Sequence, residues 1–137
     1  MKSFKIFDCF IFNNEKLLTK VRFNILNKYV NHFVICEARE NHKGEVKNYN
    51  FDINDYGEFK DKITYLKLEN FPKDLNPWQR QDFQRNFLSH GIQSADADDI
   101  IIFSDADEIP NLSIFNEDCQ KKIRNGYVGI FHQYLYY

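Results

Sequence analysis

The sequence has no cysteines paired as a zinc site or a disulfide framework would need. Cys9, Cys36 and Cys119 are odd in number and far apart, which points to a reduced compartment. Its four histidines, His32, His42, His90 and His132, show no i, i+4 spacing, so any metal chemistry would have to use oxygen ligands. No run approaches twenty apolar residues. The opening stretch MKSFKIFDCFIFNNE is interrupted by Asp8 and is followed by no small-residue cleavage site. The chain as given therefore reads as cytoplasmic, with no membrane segment. A dominant charge is also missing: 18 Lys and Arg against 20 Asp and Glu leave a formal charge of -2. No global field marks a nucleic-acid binder, and an anionic ligand would have to be held locally. There is no internal repeat, low-complexity tract or interdomain linker.

What is present is core. Hydrophobic residues make up 43% and aromatic residues 17% of the 137 positions, with 14 Phe and 8 Tyr, too many for a disordered chain and enough for one domain over 1–137. FKIFDCFIF (4–12), HFVICE (32–37), ITYLKLE (63–69) and residues 100–104 read as strands, and YVGIFHQYLYY (127–137) as a fifth. NEKLLTKVRFNILNKYV carries a helical stripe at Leu18, Val21, Ile25 and Tyr29. Residues 38–54 form a long polar loop, and 55–62 a short helix. Asn76 as N-cap, Pro77 at the first helical position and Gly91 beyond the end bound another helix, in which Trp78 reads as a core anchor. A last helix is expected at 114–124, closed by an Asn125-Gly126 turn. Asp96, Asp98 and Asp99 read as a solvated turn.

Strands alternating with helices imply an α/β fold with a largely parallel sheet, and in such sheets ligands sit beyond the carboxyl ends of the strands. IIIFSDADEIP (100–110) drives an apolar strand into Asp105, Asp107 and Glu108. Three neighbouring acids at a strand end need protonation, a helix N-terminus or a cation. Oxygen ligands suit Mg²⁺ or Mn²⁺, which share their shell with water and phosphate, so an Asp-x-Asp pair suggests a phosphate-bearing substrate. The alternative is that the acids begin a helix near Pro110, where negative charge gains about 0.3–1 kcal/mol.

The blocks DCFIFNNE (8–15), FVICEARENHKG (33–44), WQRQDFQRN (78–86) and DDIIIFSDADEIP (98–110) resemble, in order and spacing, glycosyltransferase family 17, the family of the bisecting N-acetylglucosaminyltransferase of N-glycan synthesis. The resemblance implies a glycosyltransferase-A fold, here the donor-binding portion. It also implies a UDP-sugar donor, UDP-GlcNAc on the family pattern, and a glycan acceptor. Mn²⁺ or Mg²⁺ would be held by Asp105 and Asp107, with Asp107 the more direct ligand and Glu108 a weaker candidate. By position, Asp8 and Glu37 become candidates for base or ribose contacts, with a capped or solvated acid as the alternative for each. Arg85, beside Asn86, would neutralise a diphosphate or steady the Asp pair, a helix-surface salt bridge being the other reading. His42 and Lys43 read as solvated loop.

Two departures stand out: Gln79 and Gln81 replace residues more often acidic in the family, and relatives continue beyond Tyr137, where the acceptor side and catalytic base are expected. No base is assigned within this chain, and the aromatic C-terminal strand would be prone to self-association. Animal members of the family are Golgi membrane proteins. Two other functions compete. A nucleotide-sugar-binding module without turnover is one, and a phosphatase of the haloacid-dehalogenase type, using Asp105 as nucleophile, is the other.

Overall fold

The computed structural model describes residues 4–133. Four strands, β1 (Ile6–Phe12), β2 (His32–Ala38), β3 (Ile63–Leu68) and β4 (Ile100–Phe103), form one sheet in the order β3-β2-β1-β4. Every pairing is parallel: Asp8 lies opposite Phe33 on one side and Ile102 on the other, and Phe33 lies opposite Ile63. Helices α1 (Lys16–Leu26) and α2 (Pro77–Phe87) and 3₁₀ turns at Ile53–Lys62 and Leu88–Gly91 connect the strands. This parallel α/β arrangement is consistent with the glycosyltransferase-A fold that the sequence resemblance implies.

Because side chains alternate along a strand, β1 and β2 feed two cores. Ile6, Phe10 and Phe12 with Phe33 and Ile35 meet Phe23 and Leu26 of α1, together with Tyr56 and Phe59 of the first 3₁₀ turn. Phe7, Cys9, Val34 and Cys36 face the other way, towards Leu88 and the partly buried Phe83 and Phe87 of α2. Asp8 and Glu37 share the parity of the first set, so both point into the α1 side of the sheet. Gly91 permits the close approach on the α2 side: a Cβ there would lie 2.3 Å from Val34 Cγ1.

The start of α2 follows its sequence signals. Asn76 Oδ1 accepts from Gln79 N at 2.9 Å and Gln79 Oε1 accepts from Asn76 N at 2.9 Å, a capping box ahead of Pro77. Gln79 is thus the reciprocal cap.

Several expectations are corrected. The buried face of α1 is Thr19, Arg22, Phe23 and Leu26, one residue on from the expected stripe, and Val21 and Ile25 are exposed. Trp78 is 76% exposed and not a core anchor, because the sheet-facing positions of α2 are taken by Phe83, Gln84 and Phe87. The final helix, α3, runs only over Glu117–Arg124, capped by Asn116 Oδ1 on Cys119 N. Residues 127–133 form no strand. They run as an irregular segment tied back by Gln133 Nε2 donating to Ile109 O at 2.9 Å, and the rest of the expected fifth strand lies outside the described residues. Asp99 is not solvated: its side chain is 3% exposed and accepts from Lys5 N and Asp96 N. Asn125-Gly126 does turn, with Gly126 at φ 88°. Among the described residues, no helix is long and apolar enough to cross a membrane.

Candidate functional site

The chain adds β2 and β3 on one side of β1 and then returns to place β4 on the other, so the direction of winding reverses at β1 and β4. Adjacent strand ends at such a reversal splay their loops apart and leave a crevice. A cavity of about 360 Å³ lies there. Ile11 and Phe12 at the end of β1 with Asn13 beyond it, Glu40 to His42 and Lys47 after β2, and Asp105 to Asp107 after β4 line it, while α2 contributes Gln81 and Gln84.

The acids after β4 do not open a helix. Asp105 to Glu108 form a tight turn in which Glu108 N donates to Asp105 O at 3.0 Å and Asp105 N donates to Glu108 Oε2 at 2.9 Å. Glu108 thus holds the turn and leaves Asp105 and Asp107 on the cavity wall. Asp105 is half-buried, and Asp107 is exposed at the rim. Arg85 Nη2 donates to Asp105 Oδ1 at 2.5 Å, a partly exposed ion pair between α2 and the acidic turn. Asn86 is exposed and two positions round the helix from Gln84, so it is not brought into the cavity.

Asp8 and Glu37 are both 0% exposed and meet protein groups instead of presenting a surface to a nucleoside. Asp8 lies in the middle of β1, where its two oxygens accept from Arg22 Nε at 2.8 Å and Nη2 at 2.7 Å. Glu37 Oε1 accepts from Lys47 Nζ at 2.6 Å and Asn50 N at 2.8 Å, and Oε2 from Phe51 N at 3.0 Å and Tyr65 Oη at 2.8 Å. Burial opposes ionisation of Glu37, but these donors outweigh it and hold its carboxyl below the usual value. Burial and the adjoining Glu37 push the Tyr65 phenol up, which keeps it a donor. Glu37 therefore anchors the loop that walls the cavity.

That loop also places His42, which lines the cavity rather than standing in solvent, while Lys43 is exposed. Gln84 fixes the ring: its Nε2 donates to Cys36 O at 3.1 Å, which leaves Oε1 to accept from His42 Nε2 at 3.0 Å. Arg80 Nη1 donates to Glu40 Oε2 at 2.6 Å and braces the loop against α2. Cys9 and Cys36 are free but buried, and burial pushes both thiols up to about 12, so neither serves as a nucleophile.

Sequence reasoning missed Arg22, Gln84 and Lys47. For Arg22 a signal existed, since Thr19, Arg22, Phe23 and Leu26 follow the i, i+3, i+4, i+7 spacing of a buried face. A buried Asp8 requires a cation, and that requirement favours the face carrying Arg22.

Compared with known proteins, the chain matches the family model of glycosyltransferase family 17 over residues 1–136. It is 33% identical over 108 residues to human beta-1,4-mannosyl-glycoprotein 4-beta-N-acetylglucosaminyltransferase, an alignment covering 72% of this chain and 20% of that protein. The rat protein of the same name gives the same values, and the mouse protein is 32% identical over the same coverage. The chain thus spans about a fifth (20%) of the length of these curated relatives. No solved structure matches it.

Proposed function

The chain belongs to glycosyltransferase family 17, and from that premise we propose that its cavity binds the nucleoside diphosphate of a sugar donor for transfer to a glycan hydroxyl. Family membership displaces the phosphatase reading of the Asp-x-Asp strand. The donor is UDP-N-acetylglucosamine and the acceptor a mannose-bearing glycan, a reading supported by the names of the curated relatives. The carrying observation is the acidic turn at the winding reversal, facing a cavity of about 360 Å³.

Asp107 and Asp105 would hold Mn²⁺ or Mg²⁺. Carboxylate oxygens suit a hard ion, and no cluster of three or more His, Cys, Asp or Glu suited to a metal occurs among the described residues. An ion held by Asp105 and Asp107 would therefore need water and phosphate oxygens to complete its shell. Such an ion, when bound, supplies positive charge against the leaving diphosphate. The chain's own residues bind and orient. Arg85 places a guanidinium beside the acidic turn, Gln84 fixes His42 on the opposite wall, and Glu37 holds the loop through Lys47.

A second reading, donor binding without turnover by this chain, draws support from the other carboxylates lining the cavity. Glu15 Oε2 accepts from Asn13 N at 2.7 Å and Glu40 Oε2 accepts from Arg80 Nη1 at 2.6 Å, so each commits one carboxylate oxygen to a contact within the protein.

Calorimetric titration of UDP with and without Mn²⁺, for the natural chain and Asp107→Asn, tests the donor site. Metal-dependent binding that Asp107→Asn removes is expected, and equal affinity in all four titrations would sink the assignment. Assay of sugar transfer from UDP-GlcNAc to mannose-containing glycans then separates the readings: transfer supports the first, and binding without transfer supports the second.

A further inference from the structure

We propose that Arg22 is the positioning residue of the acidic turn: a buried guanidinium, neutralised by Asp8, that holds the turn's backbone so that Asp105 and Asp107 face the cavity. Arg22 is 0% exposed although it lies on α1, remote in sequence from the motif. Its Nη1 donates to Asp105 O at 2.9 Å, Ala106 O at 3.3 Å and Glu108 O at 3.0 Å, and its Nη2 also donates to Ser104 Oγ at 2.5 Å. One side chain therefore grips four consecutive or near-consecutive residues of the turn from behind.

Chemistry explains why a guanidinium occupies this place. A tight turn that directs its carboxylates outwards leaves carbonyl oxygens aimed at the core, and buried carbonyls need donors. The Arg fork presents five N–H groups in a fixed plane. Asp8 takes one edge in a bidentate pair, and the remaining donors are left for the turn. Because Asp8 cancels the charge of Arg22, Arg22 holds the turn without neutralising Asp107, and Arg85 is the cation paired with Asp105. A free cation in the same place would have pulled the carboxylates inwards. Arg22 also stacks over the Phe10 ring, 4.7 Å from Cζ to centroid, which fixes its plane from the sheet side.

The experiment uses two replacements in the full chain. Arg22→Lys keeps the charge but loses the fork. The double replacement Asp8→Leu with Arg22→Met removes the buried ion pair as a unit, a change that commonly leaves a protein folded. Backbone amide exchange of Asp105 and Glu108 should accelerate roughly tenfold or more in both variants, while amides of β1 and β2 stay protected. Mn²⁺ affinity of the UDP-saturated protein should fall about 10–100-fold, as for loss of other groups that orient metal ligands, with little change in metal-free UDP binding. Arg22→Lys exchanging at the turn like the natural protein, or the folded double variant keeping Mn²⁺ affinity, would overturn the proposal. The Mn²⁺ measurement rests on the donor-site reading, whereas the exchange measurement does not. A natural protein that ignores Mn²⁺ would therefore sink that reading while amide exchange still decides the role of Arg22.

Discussion

Arg85 Nη2 stands 2.5 Å from Asp105 Oδ1, with the two side chains 44% and 38% exposed. It joins the face of α2 that carries Gln81 to the acidic turn after β4. Contact with water keeps the pair weak, about 0–1 kcal/mol. A weak pair beside the cavity is easily broken, and a diphosphate at the proposed donor site would compete with Asp105 for Arg85.

Arg85→Ala should therefore change unfolding stability by no more than about 1 kcal/mol. In contrast, it should weaken UDP much more than uridine, since only UDP carries the charge a guanidinium would meet. Paired calorimetric titrations check this, and an equal loss for both ligands would return Arg85 to a structural salt bridge.

The Asp8–Arg22 pair predicts the opposite balance, because both side chains are 0% exposed. Asp8→Asn removes one charge and leaves a buried guanidinium uncompensated, a change that costs about 3–5 kcal/mol. Urea unfolding of the natural chain and the variant measures it. A loss below about 1 kcal/mol would show that water reaches the site.

Much of this architecture was legible, and the failures share a cause. Asn76 and Pro77 write the start of α2 in local chemistry, so that boundary is legible in the sequence. The Ile100–Phe103 strand delivers Asp105 for the same reason: a short apolar run before acids carries its meaning within a few residues. Asp8 and Glu37 could not be placed that way. Glu37 sits near the end of β2 and Asp8 within β1, and strand parity turns both to the α1 side, where Arg22, Lys47 and Tyr65 arrive from 10 to 28 residues away. The α1 stripe failed because two faces one residue apart compete, and the winning face carries Thr19 and Arg22, which a hydrophobic pattern counts against it. Partnership across the fold, not polarity, decided which face was buried.

Trp78 offers a direct optical check on the corrected reading of α2. It is the only tryptophan, it is 76% exposed, and it shares the i, i+3, i+7 strip with Gln81 and Arg85. Native emission should resemble that of the unfolded chain, with iodide quenching of similar efficiency in both. Trp78→Ala should alter stability by about 0.5 kcal/mol or less, where a core tryptophan would cost about 3–5 kcal/mol. Blue-shifted, protected native emission would restore the core reading.

The buried carboxyl of Glu37 predicts how the cavity wall responds to acid. Burial alone would raise its pKa, but Lys47, the amides of Asn50 and Phe51 and the Tyr65 hydroxyl together hold it below the ordinary 4.5. A carboxyl depressed on folding binds its proton more readily in the unfolded chain. Its contribution is therefore complete above the unfolded value near 4.5 and is lost as the pH falls through the lower folded value. Glu37→Gln should accordingly destabilise the protein most at neutral pH, with the difference from the natural chain narrowing as the pH drops below 4.5. Lys47→Met, which spares the carboxyl but removes its strongest donor, should raise the pH at which residues 47–51 lose amide protection. Urea unfolding across a pH series, with amide exchange read at Asn50 and Phe51, measures both. A Glu37→Gln penalty independent of pH would mean that shape rather than charge anchors the loop. Unchanged protection in Lys47→Met would place the anchoring with Tyr65 and the backbone amides.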